Sequence, residues 1–251
     1  MRIHFLNIFI DNLSMEEAVD KIDGLACTEG HAYVVTPNLD IIVNAEKDKE
    51  FLEICRNASL SLADGKPLLW ISRILGTPIK EKVSGSDLFP LVCERSAQKG
   101  YTIFILGAAE GVADKAAQIL SEKYKGLKIA GTYSPPFGFE KNNEEVAHIV
   151  EMINSSKATI LAVALGAPKG EKVIYQIKDQ ICANVSLQIG ATIDFIAGKV
   201  KRAPRWMSNI GLEWFYRILQ DPKRLLKRYV KDAFCIIPII VKYGKNRRTK
   251  H

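Results

Sequence analysis

Six short runs rich in β-branched and aromatic residues punctuate the chain up to residue 190, and segments with helical periodicity separate them. The runs are AYVVT (32–36), SLSLA (59–63), YTIFIL (101–106), LKIAG (127–131), ATILAVAL (158–165) and NVSLQIG (184–190). Short apolar runs of this kind read as buried strands. Between them, Ser14 and Glu17 have the form of a capping box that opens a stripe of Ala18, Ile22 and Leu25. Val112, Ala116, Ile119 and Leu120 make a second stripe, and Val146, Ile149, Val150 and Ile153 a third. Gly100 and Gly126 stand where helix stops are expected. Strands that alternate with helices predict an α/β fold, with a mostly parallel sheet covered by helices on both faces. From Gly198 the strand signal ends and helical patterns alone continue. The expected organisation is therefore a core over 1–198 and a helical appendage over 199–251.

Charge marks the same boundary. The 251 residues carry a formal net charge of +7, with 47% hydrophobic and 25% charged residues, a balance that excludes disorder and collagen-like structure. Residues 1–198 hold 20 Lys+Arg against 25 Asp+Glu, a net of −5, whereas residues 199–251 hold 15 against 3, a net of +12. An acidic body with a strongly basic tail suggests a polyanionic partner for the tail, a nucleic acid or an anionic membrane surface. The five cysteines stand singly, without zinc-site or disulfide-framework spacing, and read as reduced thiols. The N-terminal apolar stretch is interrupted by Asn7 and Asp11 and does not read as a signal peptide. FCIIPIIV (234–241) contains Pro238 and falls well short of the roughly 20 residues that span a bilayer.

In an open parallel sheet, ligands bind where strand-to-helix turns expose backbone N–H groups at the strands' carboxyl ends. The residues expected at that edge are Pro37, Asn38 and Asp40, then Asp64-Gly65-Lys66, then Gly107 to Gly111. Gly166 to Glu171 and Ala191 to Asp194 complete the set. Neither a Walker lysine loop nor a complete GxGxxG fingerprint is present. Each turn alone has an ordinary structural reading: Asp64 as a helix cap, Asn38 as turn chemistry, Gly107 as tight packing, Asp194 as a helix N-terminal carboxylate.

TPNLD (36–40), LADG (62–65), VSGSDLF (83–89), LGAPKGE (165–171), GATIDFIAGKVKRAPRW (190–206) and GLEWFYRILQDPKRLLKRY (211–229) occur in this order. The ordered set, above all RAPRW followed by GLEWFYR, resembles the WecG/TagA/CpsF family of bacterial glycosyltransferases, and the likeness runs from about Tyr33 to Tyr229. It implies a Rossmann-like core and an inverting transfer from a UDP-sugar with neither cofactor nor metal. The acceptor would be a polyprenyl-diphosphate-linked sugar, and the site peripheral, on the cytoplasmic face of the membrane. The likeness is greatest to the type that moves N-acetylmannosamine onto undecaprenyl-diphosphate-N-acetylglucosamine, which primes wall teichoic acid. Another UDP-sugar, such as UDP-N-acetylmannosaminuronic acid, is the alternative donor.

That chemistry needs a carboxylate to deprotonate the acceptor hydroxyl, and positive groups to receive the leaving diphosphate. The resemblance assigns the base to Asp64 and tips the choice away from a cap, with Thr36 and Asn38 beside it. It implies donor contacts at Gly107, Gly166, Pro168, Glu171 and Asp194, and diphosphate or acceptor contacts at Lys82, Arg202, Arg205 and Arg217. Two positions depart from the family's pattern. Gly170 stands where Gln usually precedes the glutamate, so an amide contact is absent or supplied elsewhere. Lys82 stands where Arg is usual, and keeps the charge without the two-pronged geometry.

Arg217, Arg224, Arg228 and Lys231 recur at helical spacings, which predicts one basic flank beside an apolar surface that includes Trp214 and Phe215. Basic and aromatic residues on one amphipathic segment suit a membrane interface, and the same surface suits self-association into a homo-oligomer. A nucleic-acid partner is the rival reading, and the acidic body argues against it.

Overall fold

The computed structural model describes residues 1–248; for Arg205, Asn209, Arg224 and 245–248 it describes the backbone only. The expectations placed on the Arg205 and Arg224 side chains, and on the last three residues of the appendage, lie outside the described residues.

The chain opens with an antiparallel hairpin, β1 (Arg2–Phe5) and β2 (Ile8–Asp11). Then follow α1 (Met15–Ala26), β3 (Ala32–Val35), α2 (Leu39–Lys47), α3 (Lys49–Arg56), β4 (Leu60–Ser61), α4 (Lys66–Ile74) and α5 (Gly85–Lys99). Next come β5 (Thr102–Gly107), α6 (Val112–Lys123), β6 (Lys128–Tyr133), α7 (Asn143–Ser156), β7 (Ile160–Ala164), α8 (Lys169–Ile177), β8 (Val185–Gln188) and α9 (Thr192–Ile196). Helices α10 (Arg205–Asn209), α11 (Glu213–Gln220) and α12 (Pro222–Arg248) complete the described chain.

Strands β3 to β8 form one parallel sheet in the order β4-β3-β8-β7-β5-β6. All six coincide with runs expected from sequence, and the expected α/β class is the observed one. Alternation along the strands explains why both faces need cover. Val34, Ile103, Ile105, Ile160, Ala162, Val185 and Leu187 join the core beneath α1, α5, α6 and α9. Tyr33, Val35, Phe104, Leu106, Leu161 and Val163 join the core beneath α3, α7 and α8. The capping box at α1 is present with both of its hydrogen bonds, and Gly100 ends α5 in the left-handed conformation.

The hairpin was not foreseen. Its turn runs through Leu6 at φ 51 and buried Asn7, without the glycine that usually announces such a turn. Asn7 Nδ2 donates to the Ile42 carbonyl and to Glu46, which seats the hairpin on α2. Ile3, Phe5, Ile8 and Ile10 then share a third core with α2, α3 and α4, and with Ile236 and Ile239 of α12. Burial of such side chains contributes about 1.5–3 kcal/mol each. The far end of the basic tail is thus fastened to the body by ordinary apolar packing.

Candidate active site

Because the sheet is parallel, every strand delivers its carboxyl end to one edge. Strand β4 lies outside β3 at one end of the sheet and β6 outside β5 at the other, with β7 and β8 between. Connections that leave in opposite directions open a crevice above the middle strands. Backbone hydrogen bonds lace three turns together beyond the carboxyl ends of β3 and β4. Asp64 N–H donates to the Pro37 carbonyl at 2.8 Å, and Val83 N–H to the Ala63 carbonyl at 2.8 Å. The 36–38, 63–64 and 82–84 segments are therefore held side by side.

Asp64 is not a helix cap. Gly65, at φ +105, is the residue that caps α4, and no side chain accepts there. Among the described residues the Asp64 carboxylate has no hydrogen-bond or ion-pair partner, and part of the side chain stays open to solvent. Burial pushes its pKa up to about 7; Lys82 and Arg217 pull it down, while Glu213 and Asp87 push it further up. An accessible carboxylate that is unpartnered and half-ionised near neutrality can take a proton from a hydroxyl group.

Around it stands a mixed cluster drawn from body and tail. Lys82 Nζ donates to Asp87 Oδ2 at 2.9 Å and lies 4.0 Å from Glu213 Oε2 on α11. Ser84 Oγ donates to the same Asp87 oxygen at 2.6 Å, and the Arg202 guanidinium pairs with Asp87 Oδ1. Against the cost of burial, Ser84 and Lys82 hold Asp87 down to about 2, with Arg202 adding to the effect. Ser208 Oγ holds Glu213 at 3.0 Å. Arg217 lies over the Phe195 ring, 5.8 Å from its centroid. Asp87 and Glu213 lie inside motifs that carry the family resemblance, yet sequence reasoning singled out neither. Their part in the cluster depends on contacts across 5 residues of chain (Lys82 to Asp87) and 115 (Asp87 to Arg202).

Asn38 serves two ends. Its Oδ1 accepts from Ile41 N–H at 3.1 Å and caps α2, which is the expected turn chemistry. Its Nδ2 has no partner among the described residues and remains available as a donor. Thr36 is buried at the end of β3. Gly107, at φ +106, could carry no side chain: a Cβ would lie 2.7 Å from the Ala164 carbonyl oxygen. Its packing against β7 realises the structural reading. Gly166 by contrast faces open space, so chain or ligand can approach it closely.

Pro168 follows a cis peptide bond and caps α8. Glu171, in the first turn of that helix, is wholly buried, with Oε2 3.4 Å from Gln188 Nε2. Burial pushes it up to about 7. Gln188 also accounts for Gly170, since a Cβ at 170 would stand 2.0 Å from Gln188 Nε2. The space that a side chain at 170 would take is filled by the Gln188 amide, which donates to the Leu165 carbonyl at 2.9 Å. Asp194 lies in α9, its own carbonyl accepting from Lys199 and Val200 N–H as the chain turns into the appendage.

The tail residues do not form a single flank. Helix α11 ends at Gln220, so Arg217 belongs to a different helix from Arg228 and Lys231. Arg228 reaches inward, 3.9 Å from Asp40 on α2, while Lys231 is exposed. Trp206, Trp214, Phe215 and Leu219 are exposed, as are Leu226, Val230, Phe234, Ile237 and Val241 along α12. Among the described residues no helix is long and apolar enough to cross a membrane, and no three His, Cys, Asp or Glu side chains converge as a metal site requires.

A parallel sheet with an unpartnered carboxylate and clustered cations at its carboxyl edge is the layout of a group-transfer enzyme acting on a phosphorylated substrate. Residues 3–250 match the sequence profile of the glycosyl transferase WecG/TagA/CpsF family, and the chain belongs to that family. It is 30% identical, over 97% of its length and 89% of the relative's, to a protein of Bacillus subtilis (strain 168). That relative is named N-acetylglucosaminyldiphosphoundecaprenol N-acetyl-beta-D-mannosaminyltransferase. Proteins of the same name from Bacillus spizizenii and Staphylococcus aureus (strain MW2) are 32% and 26% identical. Those likenesses cover 77% and 89% of this chain, and 73% and 87% of the relatives. The chain is accordingly a glycosyltransferase.

Proposed function

We propose that the enzyme transfers N-acetylmannosamine, with inversion, from UDP-N-acetylmannosamine to undecaprenyl-diphosphate-N-acetylglucosamine, forming the linkage disaccharide of wall teichoic acid. The relatives' shared name supports the substrates, and the state of Asp64 supports the chemistry. Asp64 removes the acceptor hydroxyl proton as that oxygen bonds to the anomeric carbon from the face opposite the diphosphate. The bond from carbon to the diphosphate oxygen breaks, and its electron pair leaves with UDP. Lys82, Arg202 and Arg217 stand within reach of Asp64 or its neighbours and meet the charge that develops. The Nδ2 of Asn38 and the hydroxyl of Thr36 line the same turn, and Gly166 leaves room for the donor. Asp194, on α9 just after β8, is the donor contact proposed for the nucleoside.

The body over 1–198 supplies the base in this reading, and the appendage over 199–251 supplies cations and a lipid-facing surface. Along α12, Leu226, Val230, Phe234, Ile237 and Val241 are exposed at spacings of four, four, three and four residues, one face of a helix. Exposed Lys223, Lys227 and Lys231 accompany them. Such a helix rests on an anionic leaflet without spanning it, each cation contributing about 1 kcal/mol. This suits peripheral attachment at the cytoplasmic face, where a polyprenyl-linked acceptor is presented.

Incubation with UDP-N-acetylmannosamine and the lipid-diphosphate N-acetylglucosamine should yield UDP and a disaccharide lipid. No product with verified substrates would overturn the assignment. Replacement of Phe234 and Ile237 by Ser should reduce flotation with anionic vesicles at least about tenfold while α12 stays folded, because both side chains point outward. Unchanged flotation would remove the membrane role of this face.

A further inference from the structure

Asp87 occupies the join between body and tail. It lies in the first turn of α5, where Ser84 is the capping residue but spends its hydroxyl on Asp87 rather than on the helix backbone. One carboxylate thus collects three donors: Ser84 and Lys82 from the body, and Arg202 from the chain leading into the appendage. Arg202 also approaches the Ser86 carbonyl at 3.5 Å. The Lys82 side chain is only 15% exposed, and its ammonium stands between Asp87 and Glu213. Asp64 is the third carboxylate whose charge Lys82 feels.

This arrangement sets up a competition. A largely buried ammonium with three acidic neighbours goes to the one that offers a short hydrogen bond, and that one is Asp87. Asp64 keeps a cation nearby without being paired to it. Resting on the transferase reading above, we propose that Asp87 is a positioning residue: it holds Lys82 and Arg202 where a leaving diphosphate needs them, and keeps Lys82 from pairing with the Asp64 base. The groups that face Asp64 are Lys82 and Asp87 of the body, and Glu213 and Arg217 of α11. Removal of the Asp87 charge releases Lys82 toward Asp64, and both changes favour the ionised form of Asp64. The base then loses its proton at lower pH and becomes a weaker base, while both cations lose their anchor.

The test is the pH dependence of transfer by Asp87→Asn, Asp87→Glu and Arg202→Gln in the full chain. Asp87→Asn should lower kcat at least about tenfold and move the acid limb of the pH profile down by roughly one unit. Asp87→Glu, which keeps the charge, should return the limb toward its parental position. Arg202→Gln should raise KM for the donor several-fold and leave the limb in place, an outcome that stays readable if Asp87→Asn does not fold. Loss of a merely structural contact would lower stability without displacing the limb. An unmoved limb in Asp87→Asn, or a parental donor KM in Arg202→Gln, would overturn the assignment. Absence of transfer by the parent protein would instead remove the transferase reading itself.

Discussion

Two carboxylates at the carboxyl edge of the sheet, Asp64 after β4 and Glu171 after β7, are both pushed up to about 7 by burial. Their surroundings nevertheless give them different capacities. Glu171 has no exposed surface, and its carboxyl is met by the Gln188 amide, itself tied to the turn at Leu165. A proton on it has no route to a substrate. Asp64 is partly open, spends no oxygen on a cap, and faces two cations and two anions of which one of each comes from the appendage. A raised pKa thus marks both carboxylates, and Glu171 Oε1 is unpartnered too, so exposure is what separates the proposed base from Glu171.

Substitutions that exchange or erase this difference test it. Asp64→Asn is isosteric and should lower kcat by about a thousandfold, the scale of lost general-base catalysis, with stability nearly unchanged. Gly170→Ala attacks the closed site instead: its methyl group displaces the Gln188 amide from Glu171. We expect a loss of about 1–3 kcal/mol in urea unfolding, with chemistry impaired less than by Asp64→Asn. Glu171→Gln should have the smallest effect, with kcat within about threefold of the parent. Its signature is in stability. A carboxyl whose folded pKa exceeds its unfolded value of 4.5 contributes stability that is fully present below 4.5 and lost as pH rises through about 7. Glu171 adds at most about 1.4 kcal/mol per pH unit to the parent's fall, which Asp64 and Asp232 share, so the variant's unfolding free energy should fall less steeply over this range than the parent's.

Much of the core was legible because its signals are local. Strands buried on both faces read as continuous apolar runs, and α1 declares itself through Ser14 and Glu17. The N-terminal hairpin was not legible, because Leu6 takes a left-handed turn that the sequence does not advertise and β1 and β2 are only four residues each. Strand-end logic put Asp64, Asn38 and Gly166 at the sheet's carboxyl edge, and the structure has them there, because that placement depends on position along one segment. It did not distinguish Asp64 from Glu171, nor find Asp87, Gln188 or Glu213, whose meaning lies in what distant segments place against them. Gly170 shows the same limit: it reads as a missing side chain until Gln188 is seen in the space.

The appendage repeats that lesson at larger scale. Its charge excess was evident in sequence, but α12 is amphipathic in a fuller sense. One face carries Ile236 and Ile239 into the body's core, and the other keeps Phe234 and Ile237 outside.

In the proposed mechanism, Asp64 is the group that must lose a proton before transfer can occur. The direct measurement is kcat/KM for transfer across pH 5.5–8.5 with saturating acceptor. The rate should rise through a single ionisation near pH 7 and flatten above it, with that limb absent from the residual activity of Asp64→Asn. A flat profile in the parent, or the same limb in Asp64→Asn, would contradict it.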